Sequence, residues 1–120
     1  MSVNASHCEF GWKAEDFNLP SVDDRKHTLQ SLKGNKGTVI VFICNHCPYV
    51  VGSEGRIEAI ASKAKGAGLG FAGINSNDPV MYESDDWSHM LKRANRGMTY
   101  AYLHDASQDI AHAYGAERTP

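Results

Sequence analysis

Apolar positions in this chain come in two rhythms. Thr38-Val39-Ile40-Val41-Phe42-Ile43 is a β-branched and aromatic run without polar interruption, which predicts a central strand covered on both faces. From Pro48 the period changes. Val50, Val51, Ile57, Ile60, Ala61 and Ala64 recur at helical spacing as far as Gly66-Ala67-Gly68, a sequence suited to a left-handed helix cap. Gly52 and Gly55 interrupt the first turns and mark a kink or close packing. Leu69 to Asn75 predicts the next strand, followed by the loop Asn75-Ser76-Asn77-Asp78-Pro79. Ser84, Asp85 and Asp86 supply an N-cap and first-turn negative charge. They precede a helix whose apolar face is Trp87, Met90, Leu91 and Ala94, with Gly97 past its end. Thr99 to Leu103 predicts a third strand. Asp105 and Ser107 then cap a short helix carrying Ile110, Ala111 and Tyr114 and closed by Gly115.

Upstream the pattern is weaker. Met1 to Trp12 has no period and reads as an arm. Ala14 to Pro20 alternates and stops at proline, as an edge strand does. Two turn sequences, Ser21-Val22-Asp23-Asp24 and Gly34-Asn35-Lys36-Gly37, flank one helical turn from Thr28 to Leu32. His27 falls in a solvated loop on this reading. Strands alternating with helices predict one α/β domain over residues 1–120, its mostly parallel sheet covered by helices on its faces.

Composition narrows the function classes. With 120 residues and a net charge of −2, the chain is one domain and carries no basic stripe for nucleic acid. Its apolar runs are of strand length, far below the roughly 20 residues of a membrane span. Met1 to Ser6 has neither part of a signal peptide, so a cytoplasmic location is expected. Three cysteines argue against a structural disulfide framework and for catalytic or metal-binding use. Cys8 is read as an incidental thiol.

The remaining pair carries the chemistry. Cys44-Asn45-His46-Cys47 joins the apolar strand to the helix that starts at Pro48. Strand, Cys-x-x-Cys turn and helix is the layout of a thiol–disulfide site. A helix N-terminus carries about half a positive charge, which favours a thiolate. Cys44 is therefore expected to attack, and Cys47, in the first turn and more shielded, to resolve the mixed disulfide. Pro48 starts the helix cheaply because its missing N–H has no partner there. A protonated His46 would favour the Cys44 thiolate further and make the disulfide more oxidising. Asn45 contributes turn propensity. The same pair, with His46, His104 or His112, is also a possible zinc or copper site. A single Cys-x-x-Cys is weak support for that, and no metal or organic cofactor is expected. Asp78 and Glu83 receive no acid–base role.

Phe42-Ile43-Cys44-Asn45-His46-Cys47-Pro48-Tyr49-Val50 resembles the active site of a bacterial thioredoxin-like subfamily of the redoxins, the group that includes the alkyl hydroperoxide reductase/thiol-specific antioxidant proteins. Ala14 to Pro20, Asn75 to Asp78, Tyr102 to Asp105, Ala113 to Ala116 and Thr119-Pro120 extend the likeness along the chain. The resemblance implies a thioredoxin-like three-layer sandwich and thiol–disulfide oxidoreductase activity. It also implies a cis-proline facing the cysteines. Pro120 matches that position, and Thr119 before it would offer backbone groups to substrate. Thioredoxins proper carry Trp where this chain has Ile43, Gly-Pro where it has Asn45-His46, and a buried acid in the preceding strand, where Thr38 to Ile43 has none. Typical peroxiredoxins carry Pro and Thr ahead of the peroxidatic cysteine; the matching places before Cys47 hold Ile40 and Cys44. A peroxidase using Cys47 is the alternative.

The implied fold continues past its cis-proline with two antiparallel strands and a helix, so the sequence reads as truncated at Pro120. The strand ending at Ile43 would then keep an open edge, and a homodimer or swapped assembly is expected to hide it. The expected partners are a disulfide-containing protein or small-thiol substrate and an external thiol reductant.

Overall fold

A computed structural model describes residues 11–45, 48–78, 80–95 and 97–116. The apolar run forms β3, Gly37–Phe42, after a short hairpin of β1, Asn18–Pro20, and β2, Lys26–Thr28. A four-residue helix, α1, Leu29–Leu32, links hairpin and strand. The long helix α2 spans Pro48–Gly66, and β4, Leu69–Asn75, returns alongside β3. A 3-10 turn at Glu83–Asp85 leads into α3, Trp87–Ala94. Then come β5, Ala101–His104, and α4, Asp109–Ala113.

β3, β4 and β5 form a parallel sheet in that order, pairing Val39 with Phe71 and Gly73 with Tyr102. The sheet has helices on both faces. Val39, Val41, Phe71 and Tyr102 pack with Ile57, Ala61 and Ala64 of α2 and Met90 of α3. Ile40, Phe42, Ala72, Ile74 and Leu103 face Leu29 and Leu32 of α1, Ile110 of α4, and Phe17 and Leu19. Period-two alternation along each strand divides its side chains between these two cores. The result is the three-layer α/β arrangement expected from the alternation of elements.

β3 sends apolar side chains into both cores, as expected, but β4 is the more deeply buried strand. Phe71 to Asn75 are buried, whereas every residue of β3 is only half-buried. Apolarity alone does not report position in the sheet. Among the described residues β3 lies at its edge. His27 is also not in a loop: it sits in β2 opposite Leu19. The first strand is shorter than Ala14 to Pro20, and the third begins at Ala101 rather than Thr99.

Short contacts fix the ends of these elements. Thr28 and Ser31 form a reciprocal capping box on α1, with Ser31 N donating to Thr28 Oγ1 at 3.1 Å and Thr28 N to Ser31 Oγ at 2.8 Å. Asp86, rather than Ser84 or Asp85, is the N-cap of α3; its Oδ1 accepts from His89 N at 2.9 Å. α2 ends before Gly68, whose φ of +83° is the left-handed conformation foreseen there. Gly52 and Gly55 face open space within α2, which runs from Pro48 to Gly66, so they do not serve close packing. Ile60 is 54% exposed and so lies off the buried face of α2. At Gly70 the β4 backbone crosses the end of α1 closely; a Cβ there would overlap the Leu32 carbonyl oxygen.

Candidate functional site

Parallel strands gather their C-terminal ends on one edge, where crevices open between strand ends and the following helices. Here β3 ends at Phe42, and Ile43 N still donates to Ile74 O at 2.9 Å. The chain then leaves the sheet through Cys44 and Asn45 before α2 begins at Pro48. The predicted cysteine turn therefore stands beside the ends of β4 and β5.

Asn45 is held at several atoms. Its backbone N donates to Asp85 Oδ1 at 2.5 Å and its Nδ2 to Ser84 O at 3.0 Å. Its Oδ1 accepts from the Tyr102 hydroxyl at 2.8 Å. Asn75, the last residue of β4, donates through Nδ2 to Asp85 Oδ1 and to the Tyr102 hydroxyl, both at 3.1 Å. Asn77 donates from Nδ2 to Asp85 Oδ2 at 3.0 Å, while its backbone N donates to Asn75 Oδ1 at 3.1 Å. Asn75, Asp85 and Tyr102 are each 0% exposed. A buried carboxylate is tolerable only when N–H groups replace its water, as they do here. The network ties Asn45, the end of β4, β5 and the 3-10 turn into one unit.

Titration follows from this burial. Burial pushes the Tyr102 phenol well above its ordinary range; the negative charges of Asp85 and Cys44 add to that, against the opposing hydrogen bond from Asn75. Tyr100 is pushed up to about 12, chiefly by burial. Burial holds His104 below the usual imidazole range, opposed by Asp105 and Asp85. Its Nε2 is buried with no hydrogen-bond partner among the described residues, and its ring lies 6.1 Å from that of Trp87. Arg93, 7% exposed at its side chain, ties α3 to α2 through a 3.0 Å contact of Nε with Glu54 Oε1.

Of the sequence-predicted residues, the structure brings Cys44 and Asn45 to this edge and makes Pro48 the first residue of α2. His46, Cys47, Thr119 and Pro120 lie outside the described residues. Cys44 is 2% exposed and belongs to the core cluster that also holds Ile43, Met90, Tyr100 and Tyr102; Cys47, expected to be the more shielded thiol, gives no comparison because it lies outside the described residues. Burial follows from the strand end reaching into the core before the chain turns. The metal reading gains no described site: no group of three His, Cys, Asp or Glu residues converges among the described residues, and His112 is on α4, on the opposite face of the sheet.

Asp85, Asn75, Asn77 and Tyr102 were not identified from sequence. Asp85 resembled a helix cap because it adjoins the true cap, and Asn75 and Asn77 resembled loop residues. The available signal was a polar run, Asn75 to Asp78, directly after a fully apolar strand.

Comparison with known proteins agrees with this architecture. The sequence profile of the AhpC/TSA family matches residues 10–120. An uncharacterized conserved protein from Geobacillus kaustophilus is 36% identical with a TM-score of 0.89 over 93% of this chain. A hypothetical protein from Sinorhizobium meliloti 1021 is 32% identical with a TM-score of 0.87 over 92%. This chain spans 60% and 61% of their respective lengths. A putative thioredoxin from Neisseria meningitidis, 21% identical with a TM-score of 0.70, covers 89% of this chain and is matched over 67% of its own length. No match is found among curated proteins. The chain has a thioredoxin-like fold and belongs to the AhpC/TSA family.

Proposed function

We propose that this chain carries a thiol–disulfide oxidoreductase site built on Cys44 and Cys47. The observation that supports it best is the placing of Cys44 at the C-terminal edge of a thioredoxin-like sheet, directly ahead of α2, with its neighbour Asn45 held by a buried hydrogen-bond network. In this reading the Cys44 thiolate attacks one sulfur of a substrate disulfide. A Cys44–substrate disulfide forms, and the other substrate sulfur leaves as a thiolate and takes a proton. The Cys47 thiolate then attacks Cys44 Sγ and expels the second substrate thiolate. The substrate ends as two thiols, and the two cysteines as a disulfide that an external thiol reductant returns to the dithiol. His46 and Pro48 tune and shape the turn, and Thr119 and Pro120 contact substrate. A disulfide-containing protein or a small disulfide is the proposed substrate, and the cytoplasm the proposed setting.

Attack by Cys44, a residue only 2% exposed, requires its surroundings to open when substrate arrives. That same burial favours a second reading, in which Cys47 makes the first bond as a peroxidase. Trapping separates the two. On the first reading, Cys47→Ser accumulates a mixed disulfide with an oxidised model peptide through Cys44, and Cys44→Ser does not. Peroxide turnover that survives Cys44→Ser but not Cys47→Ser establishes the second reading. Loss of neither activity on either substitution refutes both.

A further inference from the structure

A charge set against the start of the predicted cysteine turn comes from outside the strand that leads into it. β3, Gly37–Phe42, contains no acid. Instead Asp85, at the end of the 3-10 turn, sends a fully buried carboxylate to the backbone N of Asn45 at 2.5 Å. That nitrogen belongs to the peptide bond joining Cys44 to Asn45, so a negative charge stands against the residue that bears the sulfur. Asn75 Nδ2 and Asn77 Nδ2 also donate to this carboxylate, at 3.1 and 3.0 Å. Every one of these contacts brings an N–H, so the carboxyl acts throughout as an acceptor. Asn75 Nδ2 bridges the Asp85 carboxylate and the Tyr102 hydroxyl, and Tyr102 shares a core cluster with Cys44, which places Asp85 and Cys44 in one buried neighbourhood.

We propose that Asp85 is a positioning residue for the cysteine turn: it fixes the Cys44–Asn45 peptide through its N–H and, by its charge, disfavours the Cys44 thiolate. The inference rests on the thiol–disulfide reading of the site and deepens it. A like charge in a buried setting opposes a second anion strongly because little water screens the pair. A disulfide carries no charge, so this opposition vanishes when Cys44 is oxidised. Asp85 therefore biases the pair toward the oxidised form and makes the dithiol the better reductant, against the opposite pull of the α2 N-terminus and a protonated His46. Among the described residues, the other titratable or charged groups packed around the site are Tyr100 just ahead of β5, Tyr102 and His104 of β5, and Arg93 of α3, itself paired with Glu54 of α2.

The test uses a chain in which Cys8→Ser and Cys47→Ser leave Cys44 as the only thiol, followed by ultraviolet thiolate absorbance against pH. Asp85→Asn keeps the size and an acceptor oxygen but removes the charge; it should move the titration midpoint down by about one pH unit or more. Asn77→Ala removes a hydrogen bond to the same carboxylate but leaves its charge; it should leave the midpoint in place or raise it. A purely structural part for Asp85 would move both variants alike and would overturn the proposal, as would a folded Asp85→Asn chain whose midpoint stays or rises. Should Asp85→Asn not fold, the wild-type single-thiol chain decides. The ¹³C resonance of the Asp85 carboxyl should shift as Cys44 ionises, and a flat trace overturns the proposal. In a chain carrying Cys8→Ser alone, Asp85→Asn should also shift the equilibrium with glutathione by up to about tenfold, roughly 30 mV toward a more oxidising pair. If the unsubstituted pair does not equilibrate with glutathione at all, the redox reading of the site falls, while the thiolate titration still decides what Asp85 does.

Discussion

Removing one oxygen atom, by Tyr102→Phe, tests whether the network around the cysteine turn is held by hydrogen bonds or by packing alone. The ring is 0% exposed, and phenylalanine preserves its contacts. The hydroxyl donates to Asn45 Oδ1 at 2.8 Å and accepts from Asn75 Nδ2 at 3.1 Å. Loss of both leaves an acceptor on Asn45 and part of the donor capacity on Asn75 without these partners. Asn75 Nδ2 keeps Asp85 Oδ1, which limits the damage on that side. With about 1 kcal/mol for each lost bond and a further contribution from polar atoms stranded away from water, the cost is about 2–3 kcal/mol. For a domain of this size that lowers Tm by about 8–12 °C. Urea unfolding of the reduced protein, followed by circular dichroism, should show a lower midpoint at unchanged m. Amide exchange at Asn45 should accelerate, because its side chain is then held by Ser84 alone among the contacts described above. A loss below about 0.5 kcal/mol with unchanged Asn45 exchange would show that packing, not this network, positions the turn.

Four further outcomes follow from the same geometry. Gly70→Ala pushes a methyl group onto the Leu32 carbonyl oxygen and should cost more than about 3 kcal/mol, whereas Gly52→Ala, into open space on α2, should raise stability by roughly 0.5–1 kcal/mol; paired denaturation curves check both. Met90→Ala opens a cavity between α3 and the sheet and should cost about 2–5 kcal/mol in the same assay. His104 is held neutral by burial, so the unfolded chain binds a proton more readily below the ordinary value of 6.5; stability should fall as pH drops through that value, and His104→Gln should flatten the dependence in a pH series of urea midpoints. Because Cys44 is 2% exposed, iodoacetamide should react with the single-thiol folded chain far more slowly than with the same chain in urea, and equal rates would contradict its burial.

The order of elements was legible because each is decided within a few residues. Period-two runs, helical spacing and glycine after helix ends are local facts, and α2, β4 and α3 fall where those patterns put them. The place of Cys44 and Asn45 between β3 and α2 was equally legible, since an apolar strand, these two residues and Pro48 follow closely in the chain. Misreadings occurred where neighbours in space are distant in sequence. Apolar β3 and apolar β4 look alike as strings, and only lateral pairing shows that β4 takes the centre. Asp85 and Asp86 are adjacent acids ahead of one helix, and a shift of one position turns the cap into the buried carboxylate of the site.

Short-range chemistry thus settled which segments become strands and helices and that a cysteine, Cys44, stands just past the end of β3. Long-range packing settled the rest: it buried Cys44, and it brought Asp85 to Asn45, forty positions away, and Tyr102 to Asn45 from fifty-seven. The reason is physical. A hydrogen bond to a buried group depends on which surfaces close over it, and that is a property of the assembled sheet and helices rather than of any stretch of chain.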